Sequence, residues 1–172
     1  SIFPPQAPTF AAASNKRKTG PRLSLRPHER QQEQMKTKAI HNIKAAEALI
    51  DKAEEGYYTA SIHHVYYAVF QYMKHELAHT DVEPLSYEEQ TVKARENRMG
   101  SHDFIIKEIR RRIGRLANLD TAKDFARDVR ELKGDRIDAD YRSRQFTLEE
   151  SQACKRLAEE LITKLKTYFG DL

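Results

Sequence analysis

Apolar residues recur three or four positions apart in five separate stretches of this chain, the spacing that collects side chains on one face of an α-helix. From Lys36 to Glu55 the series is Ala39, Ile40, Ile43, Ala46, Leu49, Ile50 and Ala53, and Gly56 is expected to end this first helix. From Tyr57 to about Ala78 it is Ile62, Val65, Tyr66, Val69, Phe70, Met73 and Leu77, with Tyr58 and Tyr67 widening the stripe into aromatic packing. This second helix is the expected centre of the core. Pro84 interrupts the pattern, and Ser86 with Glu89 forms a capping box for a short polar helix that stops near Gly100.

Ser101 is expected to cap the next helix, with Phe104, Ile105, Ile109, Ile113 and Leu116 facing inward. Asp120 starts another, carrying Ala122, Phe125, Ala126, Val129 and Leu132, which Gly134 is expected to fray or kink before Arg136. Thr147 and Glu150 make a second capping box ahead of Ala153, Leu157, Leu161, Ile162, Leu165 and Phe169, and Gly170 is the expected stop. No stretch alternates with the period of a strand. The predicted fold is all-α, an antiparallel up-and-down bundle of four long helices plus one or more short ones.

A chain of 172 residues holds one core of ordinary size, so one site is sought. No apolar run approaches the roughly 18 residues needed to cross a bilayer, and the start of the chain lacks the layout of a secretion signal. Membrane insertion is therefore not expected. The single Cys154 has no internal disulfide partner and sits in an apolar helical pattern, which fits a small core residue in a reducing cytoplasm.

Charge is distributed unevenly. Residues 1–30 hold Lys16, Arg17, Lys18, Arg22, Arg26 and Arg30 against Glu29 alone, whereas the remaining 142 residues carry 24 basic and 25 acidic groups. Five of the six prolines also fall in this segment. Residues 1–35 are therefore expected to form a flexible basic arm, and residues 36–172 the bundle. Lys16, Arg17, Lys18, Arg22 and Arg26 are candidate contacts to nucleic-acid phosphates, and Ile2, Phe3, Phe10, Leu23 and Leu25 give the arm a second use as a docking peptide. On the bundle, Arg110, Arg111, Arg112 and Arg115 form a second candidate basic surface.

The motifs for phosphate-loop nucleotide hydrolysis, dinucleotide binding, zinc proteolysis and the nucleophile elbow are all absent. His63, His64, His75 and His79 lie on or near one helix; His75 and His79, four apart, could share a metal, but no carboxylate or third ligand has a register with them, so a polar helix end is expected and no metal or cofactor. The string GDRIDADYRSR, residues 134–144, is more informative. Asp140 stands four residues from Arg136 and can orient its guanidinium. Tyr141 points about 140° away from Arg136 around a regular helix and is expected half-buried against the core.

The order of an Ala-rich first helix, GYYTASIHHVYYAVFQYMKHEL, SHDFI, DRIDADY and TLEESQACKRLAEELI resembles the HEPN domain family over residues 36–169. A subgroup of that family carries an Arg-x-x-Ala-Asp-Tyr string, matched by Arg136, Ala139, Asp140 and Tyr141. The resemblance implies a helical bundle whose members are often metal-independent ribonucleases. Their motif is Arg followed after four to six residues by His, and paired protomers bring two motifs together. It therefore implies a homodimer, with Arg136 stabilising phosphorane charge and a His moving a proton. Here Tyr141 stands where the His is expected. A phenol titrating near pH 10 is a poor general base, which counts against catalysis. His102 corresponds to a His recurrent in the subgroup and is the alternative candidate, unless it only caps its helix or bonds a neighbouring turn. Arg95 and His102 satisfy the spacing too, but straddle a helix boundary at Gly100, and the match is taken as accidental.

Three functions follow from this reading. The first is a noncatalytic RNA- or partner-binding subunit of a prokaryotic toxin–antitoxin or defence-type system, its partner a minimal nucleotidyltransferase as the resemblance implies. The second is an endoribonuclease toxin acting through Arg136 with His102 or Tyr141. The third is a structural subunit of a larger nucleoprotein assembly.

Overall fold

A computed structural model describes the backbone of residues 27–170 and the side chains of residues 34–170. The expected all-α architecture holds: among the described residues there are six helices and no strand. They are α1 (Pro27–Ile50), α2 (Glu55–His79), α3 (Tyr87–Glu96), α4 (Ser101–Leu116), α5 (Leu119–Tyr141) and α6 (Leu148–Phe169). Four of them run 22 to 25 residues, while α4 has 16 and α3 has 10. Pro27 suits the first turn of α1, because its ring presets the helical φ and the N–H it lacks has no partner there. Lys16, Arg17, Lys18, Arg22 and Arg26 lie outside the described residues, as do the apolar positions from Ile2 to Leu25.

The second helix is central, packing against α1, α6, α5 and α4. Its periodicity explains why: Ile62, Val65, Tyr66, Val69, Met73 and Leu77 are completely buried, and Tyr72 nearly so. Burying each large side chain of this kind stabilises the fold by about 1.5–3 kcal/mol. One edge of α2 meets α1, where Asn42 receives the His64 Nδ1–H at 2.7 Å and donates to Gln71 Oε1 at 3.0 Å.

Several boundaries differ from those read off the pattern. The break between α1 and α2 falls at residues 51–54, and Gly56 lies inside the first turn of α2. There Lys52 and Ala53 bond back three residues, to Leu49 and Ile50, and Ala53 takes φ 55. An alanine in register with the apolar stripe thus reverses the chain instead of extending the helix. Ser101 is not a cap: Gly100 occupies that position without a side-chain bond, and Asp103 supplies the favourable negative charge in the first turn. The fifth helix starts one residue before Asp120, with Asn118 accepting from Thr121 N–H at 2.8 Å. Gly134 neither frays nor ends it, and α5 continues to Tyr141. Both capping boxes form as expected, at Ser86 with Glu89 and at Thr147 with Glu150. Gly170 at φ 90 provides the left-handed stop that other residues adopt only with strain.

Arg112 departs from the expected basic surface. It is 5% exposed and its guanidinium donates to the carbonyls of Val82 and Glu83, at 2.9 and 2.5 Å. A charge drawn inside thus holds the α2–α3 loop, in which Glu83 has φ 52.

Candidate functional site

Four residues of α2, His63, Tyr66, Tyr67 and Phe70, project from one face because they are spaced by three, one and three. His102, at the second position of α4, and Arg136, Asp140 and Tyr141, in the last two turns of α5, are brought against that face. The unbroken α5 makes this possible, since a kink at Gly134 would have turned its last two turns away from α2. Lys133 of α5 ties two of the three contributing helices together through Asp103 of α4.

Arg136 is anchored in this cluster. Its Nη2 donates to the Tyr67 phenol oxygen at 2.9 Å, and its Nε lies 3.4 Å from Asp140 Oδ2. The guanidinium carbon stands 5.2 Å from the Tyr67 ring centre, 5.7 Å from that of Tyr66 and 5.7 Å from that of Tyr141. Its side chain is 12% exposed. The expected pairing with Asp140 is present. The Tyr141 ring also reaches Arg136 despite their angular separation on the helix, because the long Arg side chain spans the gap. Tyr141 itself is not half-buried as expected: it is 75% exposed at the end of α5.

His102 is packed inside the aromatic group. Its ring stacks on Phe70 at 4.1 Å, and its Nδ1 lies 2.7 Å from the Tyr66 hydroxyl. Burial, aided by the positive charges of Arg136 and Lys133, pushes its pKa down to about 4. Burial also raises the pKa of Tyr66, which stays protonated. The phenol can thus donate to Nδ1 of a neutral imidazole, leaving the ring proton on Nε2. Tyr66 touches both groups, so His102 and Arg136 share one wall.

The lowered value has a thermodynamic consequence. Between pH 6.5 and about 4 the unfolded chain holds a proton on His102 that the folded chain lacks, so this group's contribution to stability falls as pH drops through that window. Thermal melts from neutral pH down to about pH 4.5 should show a steeper loss for the wild type than for His102→Gln. Parallel curves would mean that His102 is not held neutral.

Sequence reasoning missed His63, which it only placed on one helix with His64, His75 and His79. The His63 Nδ1–H donates to Asp140 Oδ2 at 3.0 Å, with Oδ1 at 3.2 Å, and its ring lies 4.5 Å from that of Tyr67. The only available sequence signal was its spacing of four from Tyr67, and spacing carries no information about α5. His75 and His79 stack on each other at 4.1 Å further along α2. Among the described residues, no three His, Cys, Asp or Glu side chains converge to hold a metal ion.

The candidate basic surface on α4 is largely paired. Arg111 bonds Glu83 and Glu108, Arg115 lies 3.4 Å from Glu83, and Arg110 is exposed. Arg95 and His102 stand on different helices, α3 and α4. Cys154 is buried beside Asp135, its thiol pushed up to about 12 by burial first and by that carboxylate second.

The fold and this cluster define a class: an all-helical bundle that presents an anchored arginine, flanked by aromatic rings, where three of its helices meet. Residues 32–168 match the model of the HEPN domain family, and the chain belongs to that family. Membership supports an RNA-binding or nuclease-like domain in general terms. No curated protein and no solved structure matches the chain. Among the described residues, no helix is long and apolar enough to cross a membrane.

Proposed function

We propose that this chain is a noncatalytic, RNA-binding HEPN subunit of a prokaryotic toxin–antitoxin or defence-type system, and that it engages RNA backbone phosphate at Arg136. One observation carries the reading: a guanidinium fixed by Tyr67 with the exposed ring of Tyr141 beside it. A pre-oriented guanidinium binds phosphate with charge-assisted hydrogen bonds, and an exposed aromatic ring gives an unpaired base a surface to stack on. The placement of His102 supports binding over cleavage, because a ring stacked on Phe70, bonded to Tyr66 and held neutral is poorly suited to proton transfer. A homodimer, a nucleotidyltransferase partner and phosphate contacts by Arg110, Arg111 and Arg115 and by the basic N-terminal segment belong to the same proposal.

The test incubates purified protein with mixed RNA in the presence of a metal chelator, measuring both affinity across a salt series and RNA integrity. Salt-sensitive binding to RNA that stays intact is expected. Cleavage abolished by Arg136→Gln would replace this reading with the endoribonuclease, and the absence of any binding would leave an assembly subunit.

A further inference from the structure

We propose that His63 is a second phosphate ligand of the Arg136 cluster, acting as the imidazolium, with Asp140 the counter-ion the two cations share. The inference rests on the RNA-binding reading and adds to it a ligand residue and a pH dependence.

The geometry is specific. One carboxylate oxygen, Asp140 Oδ2, lies 3.0 Å from His63 Nδ1 and 3.4 Å from Arg136 Nε. Tyr67 closes the group from beneath, its hydroxyl on Arg136 and its ring against that of His63. With Nδ1 committed to Asp140, the other ring nitrogen, Nε2, is the group left for a ligand, on a side chain that is 44% exposed. The charges then decide the behaviour. With His63 neutral, Arg136 and Asp140 cancel and the cluster attracts an anion weakly. With His63 protonated, the same three groups carry one net positive charge, and Nε2–H becomes a charged donor to phosphate oxygen.

The groups facing His63 come from three helices. Its neighbours on α2 are His64 and Tyr67, those on α5 are Asp140 and Arg136, and His102 of α4 lies beyond the Tyr67 ring. His102, at about 4, does not change charge near neutral pH. The pKa of His64 is lowered by burial first and by His63 second, and its Nδ1 is committed to Asn42. His63 is therefore the imidazole of the cluster that meets Asp140 and still offers a ring nitrogen to an anion.

The probe is decauridylate with hydroxyl ends, since neither its bases nor its phosphodiesters titrate in that range. Affinity is measured by isothermal titration calorimetry at about pH 5.5 and about pH 8. The wild type should bind about tenfold more weakly at the higher pH. His63→Gln should vary by no more than about twofold and match the wild type at the higher pH, whereas His64→Gln should keep the full dependence. Asp140→Asn should bind more tightly than the wild type at the higher pH, because it exposes the charge of Arg136. Pairwise comparison of melting curves excludes misfolding as the cause. A flat wild-type profile, a dependence that survives in His63→Gln, or one that disappears in His64→Gln overturns this inference and leaves the RNA-binding reading intact. No binding at either pH overturns both.

Discussion

Phe146→Ala is expected to destabilise the bundle by about 3–5 kcal/mol, because it empties a fully enclosed aromatic site. Phe146 is 1% exposed although it lies in the six-residue connection between α5 and α6. Its N–H donates to Thr59 Oγ1 at 3.0 Å, the Thr59 hydroxyl donates to Gln145 Oε1 at 3.0 Å, and the Arg144 guanidinium covers the ring at 4.2 Å. The connection is thereby fastened to the start of α2, directly after the turns of α5 that carry Arg136, Asp140 and Tyr141. For a chain of this size such a loss lowers the melting temperature by about 10 °C. Phe146→Leu fills most of the same volume and should cost less than about 1.5 kcal/mol. Equal melting temperatures for the wild type and Phe146→Ala would show that the connection is not anchored by this ring.

The second large effect concerns binding. Arg136→Gln should weaken RNA binding by about 10- to 100-fold, the range for losing a charge-assisted contact of about 1.5–3 kcal/mol. It should also reduce the slope of log affinity against log salt by about 0.7, the value for one phosphate contact on a single strand. Arg136→Lys separates charge from shape. An ammonium keeps the salt slope but loses the planar fork that reaches Tyr67 and phosphate together, so its affinity should fall between those of the other two proteins. Should Arg136→Gln bind RNA as the wild type does, with an unchanged slope, the phosphate contact lies elsewhere on the molecule. The basic N-terminal segment is the first place to look.

The helices were legible because their signal is local. A stripe such as Ile62, Val65, Tyr66, Val69 and Met73 must face one way on any helix, and the two capping boxes bond within a single turn. Where local signals were ambiguous, packing decided. Ala53 fits the apolar period of α1 yet reverses the chain, and Gly134 has low helix propensity yet sits within a continuous α5. Arg112 was placed with the other arginines by composition. Its spacing from Ile105 and Ile109 is that of the buried face, and the Val82 and Glu83 carbonyls that receive it lie in a distant loop. Phe146 belongs to no periodic stretch, so nothing nearby in the chain marks it as core.

The candidate site divides along the same line. Arg136 and Asp140 are four residues apart on one helix, so their pairing could be read directly from the string. Neither the joining of His63 to Asp140 across 77 residues nor the enclosure of His102 by Tyr66 and Phe70 has a local correlate. By itself the sequence determined the helices and the pairing of Arg136 with Asp140, since each depends on residues close together along the chain; the family was legible in the order of its segments. The protonation of His102 and the partner of His63 were decided only when α4 and α5 packed against α2, because desolvation and charge act through space.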